Sequence, residues 1–250
     1  MAASDAGGHC PLELIGLRKR FGPVQALAGL DLRVGAGECY ALLGPNGAGK
    51  TTALNILLGF LQPDAGTARI AAVDVQADPD RARRNLAYIP EQVQLYPRLS
   101  GLENLAYFHG LGASEAMADA QLRDCLRQAG LTDTAHDRRV HTYSKGMRQK
   151  VGIAIALARR APVMLLDEPT SGLDPEAAFE LNNSLRDLAA RGVTILMATH
   201  DLFRAREVAS RIGILVAGRL QQEVDPASVG GAELESLYLA AVRDLLGRAS

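Results

Sequence analysis

The sequence predicts an α/β fold, a mainly parallel sheet with helices on both faces, preceded by a β-rich N-terminal third and interrupted by a helical insertion. Three observations predict it. Short apolar runs suited to buried strands, Cys39-Tyr40-Ala41-Leu42-Leu43, Val163-Met164-Leu165-Leu166 and Val193 to Ala198, are each followed by a segment of helical period. Strands that alternate with helices pair in parallel through crossovers, which carry the helices onto the sheet faces. Between Gly101 and Arg160, by contrast, helix-period stretches follow one another without a strand run.

At 250 residues the chain is long enough for one large domain with a subdomain. Residues 1–11 read as a loose N-terminus. They are small and polar, without the basic start and apolar stretch of a secretory signal. Residues 12–230 form the main domain, with the helical subdomain inserted at about 92–161, and residues 231–250 form a C-terminal amphipathic helix.

In chain order, Leu12 to Val34 is strand-like, with a turn at Phe21-Gly22-Pro23, and Gly35-Ala36-Gly37 punctuates before the Cys39 strand. Leu54, Leu57, Leu58 and Leu61 fall at i, i+3, i+4 and i+7 of a helix. Gln62 to Gly66 is a turn, and Thr67 to Val75 reads as two short strands. Leu102 to Leu111 and Ala116 to Ala129 are expected helices, the second with Ser114 and Glu115 as capping material ahead of it. A third helix runs from about Gly146 to Arg160 and stops at Pro162, which cannot continue it. Pro175 opens a helix whose Ala178, Leu181, Leu185 and Leu188 share a face. A helix from about Leu202 and strands near Ile212 to Val216 and Arg219 to Val224 complete the domain. On the terminal helix, Leu234, Leu237, Tyr238, Ala241 and Leu245 make one apolar stripe, suited to packing on the domain or to a partner contact.

Composition narrows the function. Lys+Arg 27 against Asp+Glu 28 gives net charge −1, so no nucleic-acid partner is expected. Cys10, Cys39 and Cys125 are scattered, which offers neither a disulfide framework nor a thiolate metal site. The histidines His9, His109, His136, His141 and His200 do not cluster at ligand spacings. The longest apolar run, Val151 to Ala158, is far short of the roughly 18 residues of a membrane span.

The chemistry starts at Gly44-Pro45-Asn46-Gly47-Ala48-Gly49-Lys50-Thr51-Thr52, which fits G-x-x-x-x-G-K-[ST] between a strand and a helix. Glycines let backbone N–H groups turn toward a polyphosphate, and the helix start adds a positive dipole end. In that arrangement Lys50 reaches the β- and γ-phosphates and the Thr51 hydroxyl sits on Mg²⁺. Downstream, an apolar strand ends in Asp167-Glu168, at the end of a parallel strand where open sheets bind ligands. Asp167 suits Mg²⁺, directly or through water, and Glu168 can polarise an attacking water as a general base. Ser144 and Gly146, at a helix start, offer a hydroxyl and free N–H groups to an anion, or serve as an ordinary N-cap.

Taken in order, Phe21-Gly22, Gly44 to Thr52, Ser144-Lys145-Gly146-Met147-Arg148-Gln149, Leu166-Asp167-Glu168-Pro169-Thr170, Ser171-Gly172-Leu173-Asp174-Pro175 and Thr199-His200-Asp201 resemble the ATP-binding subunit of ABC transporters over residues 12 to 224. The resemblance implies a P-loop NTPase fold with an N-terminal antiparallel β subdomain, and ATP with Mg²⁺ as ligands. It implies that Phe21 stacks on adenine and that Gly44 to Thr52 is the Walker A loop. Asp167 is then the Walker B magnesium residue, Glu168 the catalytic glutamate and His200 the switch histidine at the γ-phosphate. Ser171 to Asp174 match the loop that communicates across a dimer, and Ser144 and Gly146 match the signature motif, which binds nucleotide held by a second copy of the subunit.

Two departures stand out. The usual signature is L-S-G-G-Q, whereas this chain has Tyr143-Ser144-Lys145-Gly146-Met147, and the position usually held by glutamine at the entry to the helical block falls on Glu91, with Gln92 next to it. A carboxylate at position 91 could still touch Mg²⁺ or water. The segments 90–101 and 137–149 further resemble the ATPases that help mature nitrous oxide reductase, while exporters of drugs, haem and polysaccharide share much of them. The expectation is therefore a peripheral ATPase at the cytoplasmic face of the inner or plasma membrane, working as a nucleotide-sandwich dimer on a transmembrane permease subunit. Coupling is expected through the groove beside Glu91 to Ser100. The alternative of another class is a soluble ABC ATPase of DNA repair or translation, which commonly carries two cassettes or a coiled-coil insertion.

Overall fold

In the computed structural model, which describes residues 10–111 and 116–248, the chain opens with β1 (Leu12–Phe21), β2 (Val24–Val34), β3 (Cys39–Leu43) and α1 (Lys50–Leu57). It continues through β4 (Ala65–Ile70), β5 (Val73–Asp74), α2 (Pro79–Arg84) and β6 (Leu86–Ile89). A run of helices follows: α3 (Gly101–Gly110), α4 (Asp119–Gln128), α5 (Asp133–His136) and α6 (Lys145–Ala158). Then β7 (Val163–Asp167), α7 (Pro175–Ala190), β8 (Thr194–Thr199), α8 (Leu202–Val208), β9 (Arg211–Val216), β10 (Arg219–Val224) and α9 (Gly231–Arg248) alternate to the end.

The strands sort into two sheets. An antiparallel sheet has the order β2-β1-β4-β5, and a second sheet has the order β10-β9-β3-β8-β7-β6. In the second, β9, β3, β8, β7 and β6 pair in parallel and β10 closes one edge antiparallel. This mixed α/β architecture, an antiparallel N-terminal sheet beside a mainly parallel one, is the expected fold class. The helices α3 to α6 leave after β6 and the chain returns as β7, the neighbour of β6.

The parallel sheet divides two cores, and strand pleat does the dividing. Successive side chains point to opposite faces, so Tyr40, Leu42, Leu165, Leu196, Ala198 and Leu215 join one core with α1 and the antiparallel sheet. Cys39, Ala41, Leu43, Met164, Leu166, Ile195 and Met197 join the other, with α6, α7 and the helical insertion. Strands buried on both faces must be apolar throughout, which is why β3 and most of β7 read as unbroken apolar runs. Each leucine so buried contributes roughly 2 kcal/mol relative to exposure.

Several local expectations differ from what is found. The stripe through Leu61 does not make one helix: α1 ends at Leu57, because Gly59 takes a left-handed φ of 71° that turns the chain out of the helix. Leu61 still packs on the core from the turn beyond. Helix α2 was not expected, since it is short and buries only Ala82, which leaves no apolar period to read. Its signal lay in the start instead, where Asp78 caps the Arg81 N–H and Pro79 occupies the first turn. Helix α4 begins at Asp119, and Ser114 and Glu115 lie outside the described residues, as does the N-terminal stretch before Cys10. Helix α6 begins at Lys145 with Ser144 as its N-cap. Leu234 of α9 is buried, and Leu237, Tyr238 and Ala241 pack on the same core, so this part of the amphipathic stripe covers the domain itself; the Leu245 side chain lies outside those described. Among the described residues no helix is long and apolar enough to cross a membrane.

Candidate active site

The buried strand β3 delivers Gly44 to the C-terminal end of the parallel sheet, where the Gly44 N–H donates to the Thr199 carbonyl of β8 at 3.1 Å. Two of the loop's glycines are sterically obligatory. A Cβ on Gly44 would stand 2.3 Å from the Leu215 carbonyl oxygen. A Cβ on Gly49, whose φ is 109°, would stand 2.5 Å from the Ala26 carbonyl oxygen, so the antiparallel sheet presses directly on the loop. Asn46 and Gly47 are exposed at the tip, Pro45 is half-buried, and Ala48 is buried beneath them.

Lys50 opens α1 and is buried. Its Nζ curls back to donate to the carbonyls of Gly44 at 2.6 Å and Pro45 at 3.2 Å. Burial pulls its pKa down, and the carboxylates of Glu168 and Asp167 pull the other way. Thr51, the next residue, is exposed on the first turn, and Thr52 is half-buried behind it.

Across the sheet, β7 ends in the carboxylate pair. Glu168 adopts φ 45°, a left-handed conformation that is costly for a residue with a side chain, and its N–H is fixed to the Ala198 carbonyl at 2.9 Å. This bend aims the side chain at the end of β8. Oε2 accepts from the Thr199 hydroxyl at 3.0 Å, and Oε1 lies 2.8 Å from His200 Nδ1 and 3.9 Å from Lys50 Nζ. Asp167 is half-buried, and its carboxyl is pushed above the usual range, first by burial and then by the negative charge of Glu168 and Glu91. Among the described residues no group of three or more His, Cys, Asp or Glu side chains is placed to hold a metal ion by itself, so the expected Mg²⁺ would need phosphate oxygens of the nucleotide besides the oxygens of Asp167 and Thr51.

Lys50, Glu168 and His200 are thus brought together, whereas other expected residues stand apart. No hydrogen bond among the described residues joins Ser144 or Gly146 to the loop Gly44 to Thr52. The Ser144 hydroxyl accepts from the Met147 N–H at 3.2 Å, which is a helix N-cap, and a Cβ on Gly146 would lie 3.1 Å from Cβ of Ala177 on α7. Phe21 ends β1 with its ring 48% exposed and the Lys19 ammonium 5.7 Å from the ring centre. Glu91 accepts from the Ser171 hydroxyl at 2.9 Å.

Thr199 had no role in the sequence reading. It is 1% exposed, donates to Glu168, and accepts from the Asp201 N–H at 3.1 Å. Its signal was a polar residue closing the apolar run of β8, directly before His200.

The ABC transporter family pattern matches residues 27–171. An uncharacterised ABC transporter ATP-binding protein of Bacillus subtilis is 37% identical over 214 residues, which cover 85% of this chain and 68% of that protein. The Nod factor export ATP-binding protein I of Burkholderia lata is 39% identical over 225 residues, 90% of this chain and 74% of its own. The daunorubicin/doxorubicin resistance ATP-binding protein of Streptomyces peucetius is 39% identical over 213 residues, 85% of this chain and 64% of its own. Among solved structures, a dimeric bacterial ABC transporter cassette superposes with a TM-score of 0.76 at 28% identity, covering 86% of this chain and 98% of that one. The same cassette in a post-hydrolysis state bound to ADP and Pi gives a TM-score of 0.75. Sequence match, fold and the phosphate loop set beside Asp167-Glu168 agree, and the chain belongs to the ABC transporter family as an ATP-binding, ATP-hydrolysing subunit.

Proposed function

We propose that this subunit hydrolyses ATP as a sandwich of two copies and powers a separate transmembrane permease of the export type. The observation that carries the proposal is the convergence on Glu168 of Lys50, Thr199 and His200, at the open end of the sheet beside the phosphate loop. Asn46, Gly47 and Gly49 to Thr52 supply backbone N–H groups for the phosphates, and Lys50 exchanges its two carbonyl partners for phosphate oxygens. Phe21, half exposed, offers a ring face to the base. Glu168, held in one orientation by Thr199 and His200, accepts a proton from the attacking water. His200 keeps one imidazole nitrogen on Glu168 and has the other to turn toward the γ-phosphate. Thr51 and Asp167 would hold Mg²⁺, and the ion would supply charge neutralisation for the phosphates.

In this reading Ser144 and Gly146 of a second copy supply further donors to the γ-phosphate held by the first. The solved dimeric cassette supports this arrangement. The export named for the Burkholderia lata relative supports a membrane partner, and a peripheral position at the cytoplasmic face of the inner or plasma membrane is the reading that goes with it. The finer reading, nitrous oxide reductase maturation, rests on residues 90–101 and 137–149 alone, and the relatives named above, of Nod factor export and daunorubicin/doxorubicin resistance, do not support it. Hydrolysis measured against protein concentration tests the shared site. Specific activity rising with concentration, in step with dimer formation, is expected; constant specific activity from a monomer would contradict it.

A further inference from the structure

A group of side chains outside the phosphate loop ties the helical insertion to the segment that follows Glu168. Lys145 and Gln149 are four residues apart on α6 and therefore share a face. Lys145 Nζ donates to the Ser171 carbonyl at 2.5 Å and lies 3.9 Å from Glu91 Oε1. Glu91 Oε1 in turn accepts from the Ser171 hydroxyl at 2.9 Å. Gln149, 1% exposed, donates its Nε2 to the Glu91 carbonyl at 2.9 Å. The Ser171 N–H donates to the Glu168 carbonyl at 3.1 Å, so the chain of bonds runs from α6 to the backbone of the catalytic glutamate. Gly172 follows with a left-handed φ of 65°, which glycine adopts freely, beside the Lys145 side chain.

We propose that Lys145 is a positioning residue, which with Glu91 and Ser171 fixes the angle at which the start of α6, and with it Ser144 and Gly146, is presented to nucleotide held by a second copy. The proposal rests on the shared-site reading above. It also gives Glu91 a role distinct from contact with the metal. The Lys145 and Glu91 side chains are 31% and 47% exposed, where solvent screening leaves an ion pair little effect on folding. Their effect is therefore on presentation. A start of α6 that is already oriented loses less freedom when two copies close, and that saving appears as tighter ATP-driven association. Lys145 in this arrangement points its charge inward, at a carbonyl, and touches no reacting atom.

The test compares the full chain with Lys145→Met, Lys145→Arg, Glu91→Gln and the double variant Lys145→Met/Glu91→Gln, using ATP and Mg²⁺. The half-saturating ATP concentration of Lys145→Met is expected to rise about three- to tenfold, with turnover at saturation changed by less than about twofold. Lys145→Arg restores the half-saturation, the double variant is no worse than Lys145→Met, and the Mg²⁺ midpoint of Glu91→Gln matches wild type. An unchanged half-saturation, a loss confined to turnover, effects of the two changes that multiply, or a shifted Mg²⁺ midpoint would each overturn the proposal. Amide exchange in the nucleotide-free chain reads the same contacts without hydrolysis: residues 143–147 and 171–173 exchange faster in Lys145→Met, and unchanged exchange overturns the proposal. A wild-type chain that hydrolyses no ATP would count against the shared-site reading instead, and exchange would then decide this one.

Discussion

His200 Nδ1 lies 2.8 Å from Glu168 Oε1, and the other carboxylate oxygen of Glu168 takes the buried Thr199 hydroxyl at 3.0 Å. Both oxygens are engaged by residues at the end of β8, so the protein itself orients the carboxylate. The positive φ of Glu168 is the backbone strain that accompanies this orientation, of a kind that clusters at functional sites. Replacing Thr199 by Val removes one of those two anchors while keeping the side-chain shape. Turnover is expected to fall about tenfold, with ATP binding to the single subunit nearly unchanged, as measured by steady-state hydrolysis and equilibrium binding. Wild-type turnover would show that Glu168 needs no such anchor.

Lys50→Ala removes an ammonium that is held inside the phosphate loop by the Gly44 and Pro45 carbonyls. Charge-assisted hydrogen bonds of this kind contribute about 1.5–3 kcal/mol, which corresponds to a loss of roughly ten- to a hundredfold in ATP affinity. Calorimetric titration with ATP measures it. Unchanged affinity would remove Lys50 from the phosphate site.

Asp167→Asn is expected to stabilise the nucleotide-free chain while impairing Mg²⁺-dependent hydrolysis. Burial and the neighbouring carboxylates raise the Asp167 pKa in the folded protein, so the folded state binds that proton more tightly than the unfolded state. The stability linked to it is present below the ordinary carboxylate pKa of about 3.9 and is lost as pH rises through the raised value. At pH 7 the asparagine variant, which has no charge to desolvate, should melt about 2 °C higher than wild type, and the gain should vanish near pH 3. A lower melting temperature at pH 7 would contradict the burial account.

Much of this architecture was legible because its physics is local. The unbroken apolar runs of β3 and β7 could be read because both faces of a parallel strand are covered, and Gly44 and Gly49 because they hold the fixed glycine positions of G-x-x-x-x-G-K-[ST]. Residues that act by reaching across the fold were not legible. Lys145 stood out only as a departure from a motif, since its partner Ser171 is 26 residues away and Glu91 belongs to a third segment. Thr199 was hidden because a threonine at a strand end has many ordinary uses, and only its contact with Glu168 distinguishes it. The end of α1 was misjudged because four leucines kept helical spacing past a glycine that turns the chain by its backbone alone.

The central claim is that Glu168 is the general base, and Glu168→Gln tests it most directly. The amide keeps the shape and can still bond to Thr199 and His200, yet it cannot accept a proton from water. Single-turnover hydrolysis and size-exclusion chromatography in ATP should show turnover reduced by about 10²-fold or more and a persistent ATP-bound dimer. Hydrolysis near the wild-type rate, with no accumulated dimer, would contradict the account.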